Sequence, residues 1–153
     1  MEIYLASYKA THDGVQGLIN IGIRTLDRAL YSHSEICVGN PFESEVDCYS
    51  SSGIDGGVRC KRMQLNPDKW DIVHLPWVSL ITVLNCYEEA KGRKYDYFGV
   101  ARFALPFATR EHPDRDFCSE YGARVAGIDD PWRFSPHALH VACVQLSKIS
   151  KGT

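Results

Sequence analysis

Two stretches of this chain carry residues suited to covalent chemistry. One is a cysteine opening a helix-like run, Asp116-Phe117-Cys118-Ser119-Glu120-Tyr121. The other is a histidine on a strand-like run, Ser32-His33-Ser34-Glu35-Ile36. A thiol attacks a carbonyl carbon only as thiolate. The positive end of a helix favours that anion, and an imidazole can take the thiol proton and hold it. Side chains two apart on a strand share a face, so Glu35 stands beside His33. Its carboxylate can fix the imidazole tautomer, as the third member of a triad does. The Cys118 N–H, at the start of a helix, is suited to stabilise an oxyanion. If Cys118 and His33 meet, the chain is a cysteine hydrolase or acyltransferase. If they stay apart, they are a core thiol and a strand histidine in an α+β domain with no legible activity.

The elements that must bring them together can be read from spacing. Glu2 to Tyr8 predicts a strand, and Val15, Leu18, Ile19, Gly22 and Leu26 make one helical stripe over 14–30, with Asp13 as N-cap. Strands follow over 31–38, 45–50, 58–65 and 71–75, separated by Gly39-Asn40-Pro41 and Asp55-Gly56-Gly57 turns. Residues 78–91 predict a helix stopped by Gly92. Residues 95–107 are aromatic and apolar and predict partial helix, and 109–115 predict a loop. A helix over 118–126 is closed by Gly127, with Asp116 where a cap would sit. Ser135-Pro136 opens a last helix running to about Leu146. Strands grouped before helices predict an α+β fold with an antiparallel sheet packed on helices. The Cys118 helix is expected on the sheet face that carries His33. If Val38 pairs near Glu45, His33 lies opposite Ser50, which makes Ser50 an alternative to Glu35 as the orienting residue, with Cys48 opposite Glu35.

Composition limits the functions to be considered. The 153 residues predict a single domain, with 44% hydrophobic and 24% charged residues and a net charge of −2. That balance gives no electrostatic case for nucleic acid or an anionic membrane. No apolar run is long enough to span a bilayer, and the start lacks a signal-peptide pattern. Six cysteines without a Cys-x-x-Cys pair argue against a zinc knuckle or thioredoxin motif and fit a reducing, cytoplasmic location. His137, His140 and Cys143 share a helix face, but without an acidic or third-strand ligand they are not expected to bind a metal. Trp70, Trp77 and Trp132 read as core or rim, and Arg59, Lys61 and Arg62 as a solvated basic face.

The run Gly92-Arg93-Lys94-Tyr95-Asp96-Tyr97-Phe98-Gly99, followed by Asp116-Phe117-Cys118-Ser119-Glu120, resembles the NlpC-type papain-like hydrolases. Those carry Gly-x-x-Tyr-x-x-Gly ahead of a Cys-Ser that starts a helix. Here the histidine strand precedes the cysteine helix, so the chain is similar to the circularly permuted branch, the YaeF/YiiX-like amidases. Ser32-His33-Ser34-Glu35, Cys48-Tyr49-Ser50-Ser51-Ser52, Asp55-Gly56-Gly57-Val58-Arg59 and Pro131-Trp132-Arg133-Phe134-Ser135-Pro136 extend the resemblance over nearly the whole chain. Small members with this pattern occur in bacteriophages. The resemblance implies a permuted papain-like fold, Cys118 as nucleophile, His33 as base, Glu35 or Ser50 as the orienting residue, and Tyr95 near the thiolate. Glu120 would be a capping or pocket residue. It implies no metal or organic cofactor and a peptide, amide or acyl substrate. Two other readings stay open. One is a lipid acyl hydrolase or acyltransferase with an acyl channel at Phe98, Phe103, Leu105 and Phe107. The other is a non-enzymatic interaction protein that keeps the fold.

Overall fold

The computed structural model describes residues 1–9, 30–97, 99 and 114–152. Within them the strands are β1 (Ile3–Tyr8), β2 (His33–Val38), β3 (Val46–Ser52), β4 (Gly57–Met63), β5 (Trp70–His74), β6 (Lys94–Tyr95) and β7 (Arg115–Asp116). They form one curled sheet in the order β5-β1-β2-β3-β4-β6-β7. All pairings are antiparallel except β6 with β7, which is parallel. The helices among the described residues are α1 (Leu80–Ala90), α2 (Cys118–Val125) and α3 (Pro136–Lys151), with a 3-10 turn at Pro131–Arg133. This is the expected α+β class, with the sheet mostly rather than wholly antiparallel. The helix expected over 14–30 lies outside the described residues, Leu30 apart.

Two short strands differ from the sequence reading. Tyr95 is expected to open a partial helix, Arg115 to end a loop and Asp116 to cap a helix, yet Lys94–Tyr95 and Arg115–Asp116 both add to the sheet edge. Their backbone bonds explain this. Val58 N–H donates to Arg93 O at 3.1 Å, Tyr95 N–H to Gly56 O at 3.0 Å, and Lys94 N–H to Asp114 O at 3.1 Å. Two-residue strands have no alternation to read, so long-range pairing rather than local pattern creates them. A Cβ on Gly57 would stand 2.1 Å from Arg93 O, so this approach admits no side chain.

The sheet is apolar on both faces. Ile3, Leu5, Ile36, Tyr49, Val73 and Leu75 form one core with Val83 of α1, Tyr121 and Val125 of α2, and Leu139 and Cys143 of α3. Ala6, Cys37, Val46, Cys48 and Leu65 form a second cluster on the other side, flanked by Phe42, Met63, Trp70 and Ile72. Burial of this kind, at about 25 cal/mol per Å² of apolar area, holds the helices on the sheet. Gly122 sets how closely α2 sits. A Cβ there would lie 2.8 Å from a Leu139 methyl and 3.8 Å from a Leu5 methyl.

Helix ends follow the sequence signals in most places. The Ser79 hydroxyl accepts from Thr82 N–H at 3.1 Å and caps α1, and the Ser135 hydroxyl accepts from Ala138 N–H at 3.2 Å and caps α3. Gly127, at φ +70°, closes α2. The last helix runs to Lys151, one turn beyond the expected end near Leu146. Asp116 is not the cap of α2. Phe117 holds the N-cap position in extended backbone, and Asp116 belongs to β7.

Candidate active site

β2 starts at His33, β3 ends at Ser52, and α2 starts at Cys118. These three termini converge at one end of the sheet. The register is Val38 opposite Asp47 and Cys37 opposite Cys48, two residues from the expected pairing of Val38 near Glu45. A shift of two keeps every side chain on its face. The β2–β3 ladder stops at Ile36–Tyr49, and beyond it the strands part. Serines take over the polar accounting there. The Ser50 hydroxyl donates to Ser34 O at 2.6 Å, and the Ser51 hydroxyl to Asp116 O at 2.6 Å, which ties β3 to the strand leading into α2. Ser50 is therefore committed to the backbone and does not orient His33.

Glu35 does. Its Oε1 lies 2.8 Å from His33 Nε2. Glu35 is buried (2% exposed), whereas the His33 side chain keeps 22% of its surface. With Nε2 engaged, Nδ1 is the nitrogen left to face the thiol. Burial lowers the basicity of His33, but the charge and hydrogen bond of the Cys118 thiolate, then those of Glu35, outweigh it and carry its pKa from 6.5 to about 10. Burial raises the Glu35 pKa, and its hydrogen bonds to His33 and Arg59 reverse the effect, so the carboxyl lies below its ordinary 4.5.

Cys118 is 3% exposed, at the first residue of α2. Its helix packs on Leu5 and Ile36 through Gly122, whereas His33 and Glu35 alternate with Ile36 and share the face of Cys37. The Cys118 helix thus covers the opposite face from the one expected. Thiol and imidazole meet at the end of the sheet, where β2 and β3 have separated. Periodicity assigns faces within a strand, but it does not show where a ladder ends.

Tyr95 stands at the same place. Its hydroxyl pKa is pushed well above 10, first by burial and then by the Cys118 charge. Its ring meets Tyr97 edge-on at 4.8 Å. Across the site Trp70 lies edge-on to His33, with centroids 6.2 Å apart. Glu120 is buried and lies 3.5 Å from Arg124, which also binds Asp116 at 2.9 Å. These contacts brace the first turn of α2 from behind.

Sequence reasoning missed Arg59. It was placed on a solvated face with Lys61 and Arg62, whose side chains are indeed half or more exposed. Arg59 itself is 15% exposed. Its Nη1 donates to Glu35 Oε2 at 2.6 Å, its Nη2 donates to Glu35 Oε1, and its Nε donates to Asp55 Oδ2 at 3.0 Å. The available signal was that one unpaired acid on a buried strand needs a cation within reach. The acyl-channel residues Phe98, Phe103, Leu105 and Phe107 lie outside the described residues. Among the described residues no three His, Cys, Asp or Glu side chains are grouped to hold a metal, and no helix is long and apolar enough to cross a membrane. No family model matches the chain, and neither curated proteins nor solved structures show a significant match to it.

Proposed function

We propose that the protein is a cysteine hydrolase acting on an amide or ester bond. One observation carries this reading: the His33 ring is hydrogen-bonded through Nε2 to the buried Glu35 carboxylate, and the Cys118 sulfur at a helix start stands near enough to raise the His33 pKa. Nucleophile, base and orienting acid form one chain of contacts.

The thiolate attacks the carbonyl carbon, and the helix-start N–H of Cys118 faces the oxygen as negative charge develops there. The His33 imidazolium then gives its Nδ1 proton to the leaving nitrogen or oxygen. This releases an amine or alcohol and leaves a thioester on Cys118. His33, now neutral, takes a proton from water as the water attacks the thioester. The acid leaves and the thiolate–imidazolium pair returns. Glu35 keeps Nε2 protonated throughout, so Nδ1 does all the proton exchange. Tyr95 and Trp70 flank the reacting atoms. The order of strand and helix, with His33 ahead of Cys118, supports a permuted papain-like arrangement, and a peptide or other acyl compound is the substrate class.

The test is incubation with a p-nitrophenyl ester and a set of peptide amides, read by product release and by intact mass. The reading predicts an acyl adduct on Cys118 and no turnover in Cys118→Ala. Turnover unchanged in Cys118→Ala would overturn it.

A further inference from the structure

We propose that Arg59 is a positioning residue for this site: by clamping Glu35 it fixes the carboxylate that in turn fixes the tautomer and direction of the His33 ring. The inference rests on the reading of Cys118 and His33 given above.

Glu35 and Arg59 sit on β2 and β4, with β3 between them. Arg59 pairs with Ser50 in register, and the Ser50 hydroxyl holds the Ser34 carbonyl next to Glu35. The two residues are thus two strand spacings apart, roughly 9–10 Å between backbones. A long side chain is needed to bridge that gap, and the guanidinium meets the carboxylate with two parallel N–H groups. The fork is rigid, so it sets the carboxylate plane as well as its charge. The remaining edge of Arg59 is used too. Nε is held by Asp55, which also pairs with Lys61, and Nη1 lies 3.4 Å from Cys48 O. The result is a line of alternating charge, Lys61–Asp55–Arg59–Glu35–His33–Cys118, running from the surface to the thiol.

The chemical consequence concerns the proton on Nε2. Glu35 faces His33 and Cys37 on its own strand and Arg59 on β4, whose Nη1 also lies near Cys48 O on β3. Arg59 is its permanent cation. As a carboxylate, Glu35 accepts from Nε2–H, so a neutral ring presents a bare Nδ1 that can take the thiol proton. As a carboxylic acid, it donates to Nε2, and the neutral ring then carries its proton on Nδ1 and cannot act as base. Arg59 selects the first state.

The experiment measures iodoacetamide labelling of Cys118 at pH 7, located by mass spectrometry, in wild type, Arg59→Met, Arg59→Lys, Glu35→Gln, Glu35→Gln/Arg59→Met and His33→Ala. Arg59→Met is expected to slow labelling about 10-fold or more, less than the about 10²–10⁴ of a lost proton-transfer group because the His33 ring remains. Arg59→Lys should recover part of the loss. The double variant should be no slower than Glu35→Gln alone, because Arg59 acts through Glu35. A wild-type rate in Arg59→Met, or multiplied losses in the double variant, overturns the inference. If Arg59→Met does not fold, Asp55→Ala keeps the fork and removes its anchor. A slower rate there supports the clamp, and an unchanged rate overturns it. An unchanged rate in His33→Ala would instead sink the thiol–imidazole reading itself, which separates the two failures.

Discussion

Two histidines of this fold sit in superficially similar chains of hydrogen bonds and have opposite electrostatic fates. His140 on α3 contacts the Ser7 hydroxyl through Nδ1 at 2.9 Å and the Tyr31 hydroxyl through Nε2 at 3.3 Å, and Tyr31 donates to Asp71 at 2.8 Å. Serine, histidine and acid are all present, yet no charged group touches the ring among these contacts. Ser7 is fully buried, and the acid is one tyrosine removed from the ring. Burial dominates and lowers the His140 pKa, Asp71 raises it less, and His137 adds to the lowering. His33 has a carboxylate in direct contact and the Cys118 sulfur nearby, and its pKa rises to about 10. The comparison teaches that a histidine gains basicity when its partners are charged and adjacent, and loses it when burial prevails and a neutral hydroxyl separates it from the acid.

The contrast can be broken by exchange of the two rings for alanine. His33→Ala should lower ester hydrolysis by about 10²–10⁴, the usual contribution of a proton-transfer group. His140→Ala should leave the rate within about twofold of wild type once folded enzyme is counted, since it touches no reacting atom. Equal losses in both, measured as kcat/KM with a p-nitrophenyl ester, would erase the distinction.

Next in size is the buried ion pair. Glu35→Ala leaves both Nη groups of Arg59 without a carboxylate, Asp55 holding only Nε, and should destabilise by about 3 kcal/mol in urea unfolding. Lys9 and Asp71, paired at 2.7 Å beside the His140 chain, are partly exposed, and Lys9→Ala should cost under about 1 kcal/mol. Similar costs would mean that the Glu35 pair is no more buried in effect than a surface one.

A further prediction concerns the sheet edge. Gly57→Ala drives a methyl into Arg93 O and should cost about 1–3 kcal/mol, with loss of Cys118 labelling selectivity as β6 and Tyr95 move. A variant as stable as wild type would show that β4 and β6 are not held this closely.

The same contrast can be read in pH. The His33 contribution to stability is complete below its unfolded value of 6.5 and is lost as pH rises through about 10. The His140 contribution runs the other way: it is present above 6.5 and is lost as pH falls through its lowered folded value. Imidazole proton shifts between pH 5 and 8 should therefore report a ring that stays charged at His33 and one that stays neutral above 6.5 at His140. Two rings titrating together near 6.5 would contradict both assignments.

Much of this site was legible in the sequence because strand period and helix caps are local. Glu35 beside His33, Cys118 at a helix start and Ser135-Pro136 at another follow from spacing of two, or from a cap and the residue after it. What failed was non-local. Arg59 reaches Glu35 across an intervening strand, and no spacing encodes that. The pairing of β2 with β3 lies two residues from the expected one because the connection is longer than the Gly39-Asn40-Pro41 turn: Glu43 N–H donates to Asn40 O at 3.3 Å, and β3 begins at Val46 rather than Glu45. Asp116 looked like a cap from its distance to Cys118. The parallel pairing of β6 and β7 instead takes Asp116 into the sheet, where Arg124 and Arg93 bind it.

The most direct measurement is iodoacetamide labelling of the wild-type protein at pH 7, with the adduct located among the six cysteines. Burial pushes Cys143 up to about 12 and raises Cys60 and Cys86, and the Cys48 thiol and burial raise Cys37. The account predicts an adduct confined to Cys118 and slowed about 10-fold or more in His33→Ala. Slow labelling spread over several cysteines, indifferent to His33, would contradict it.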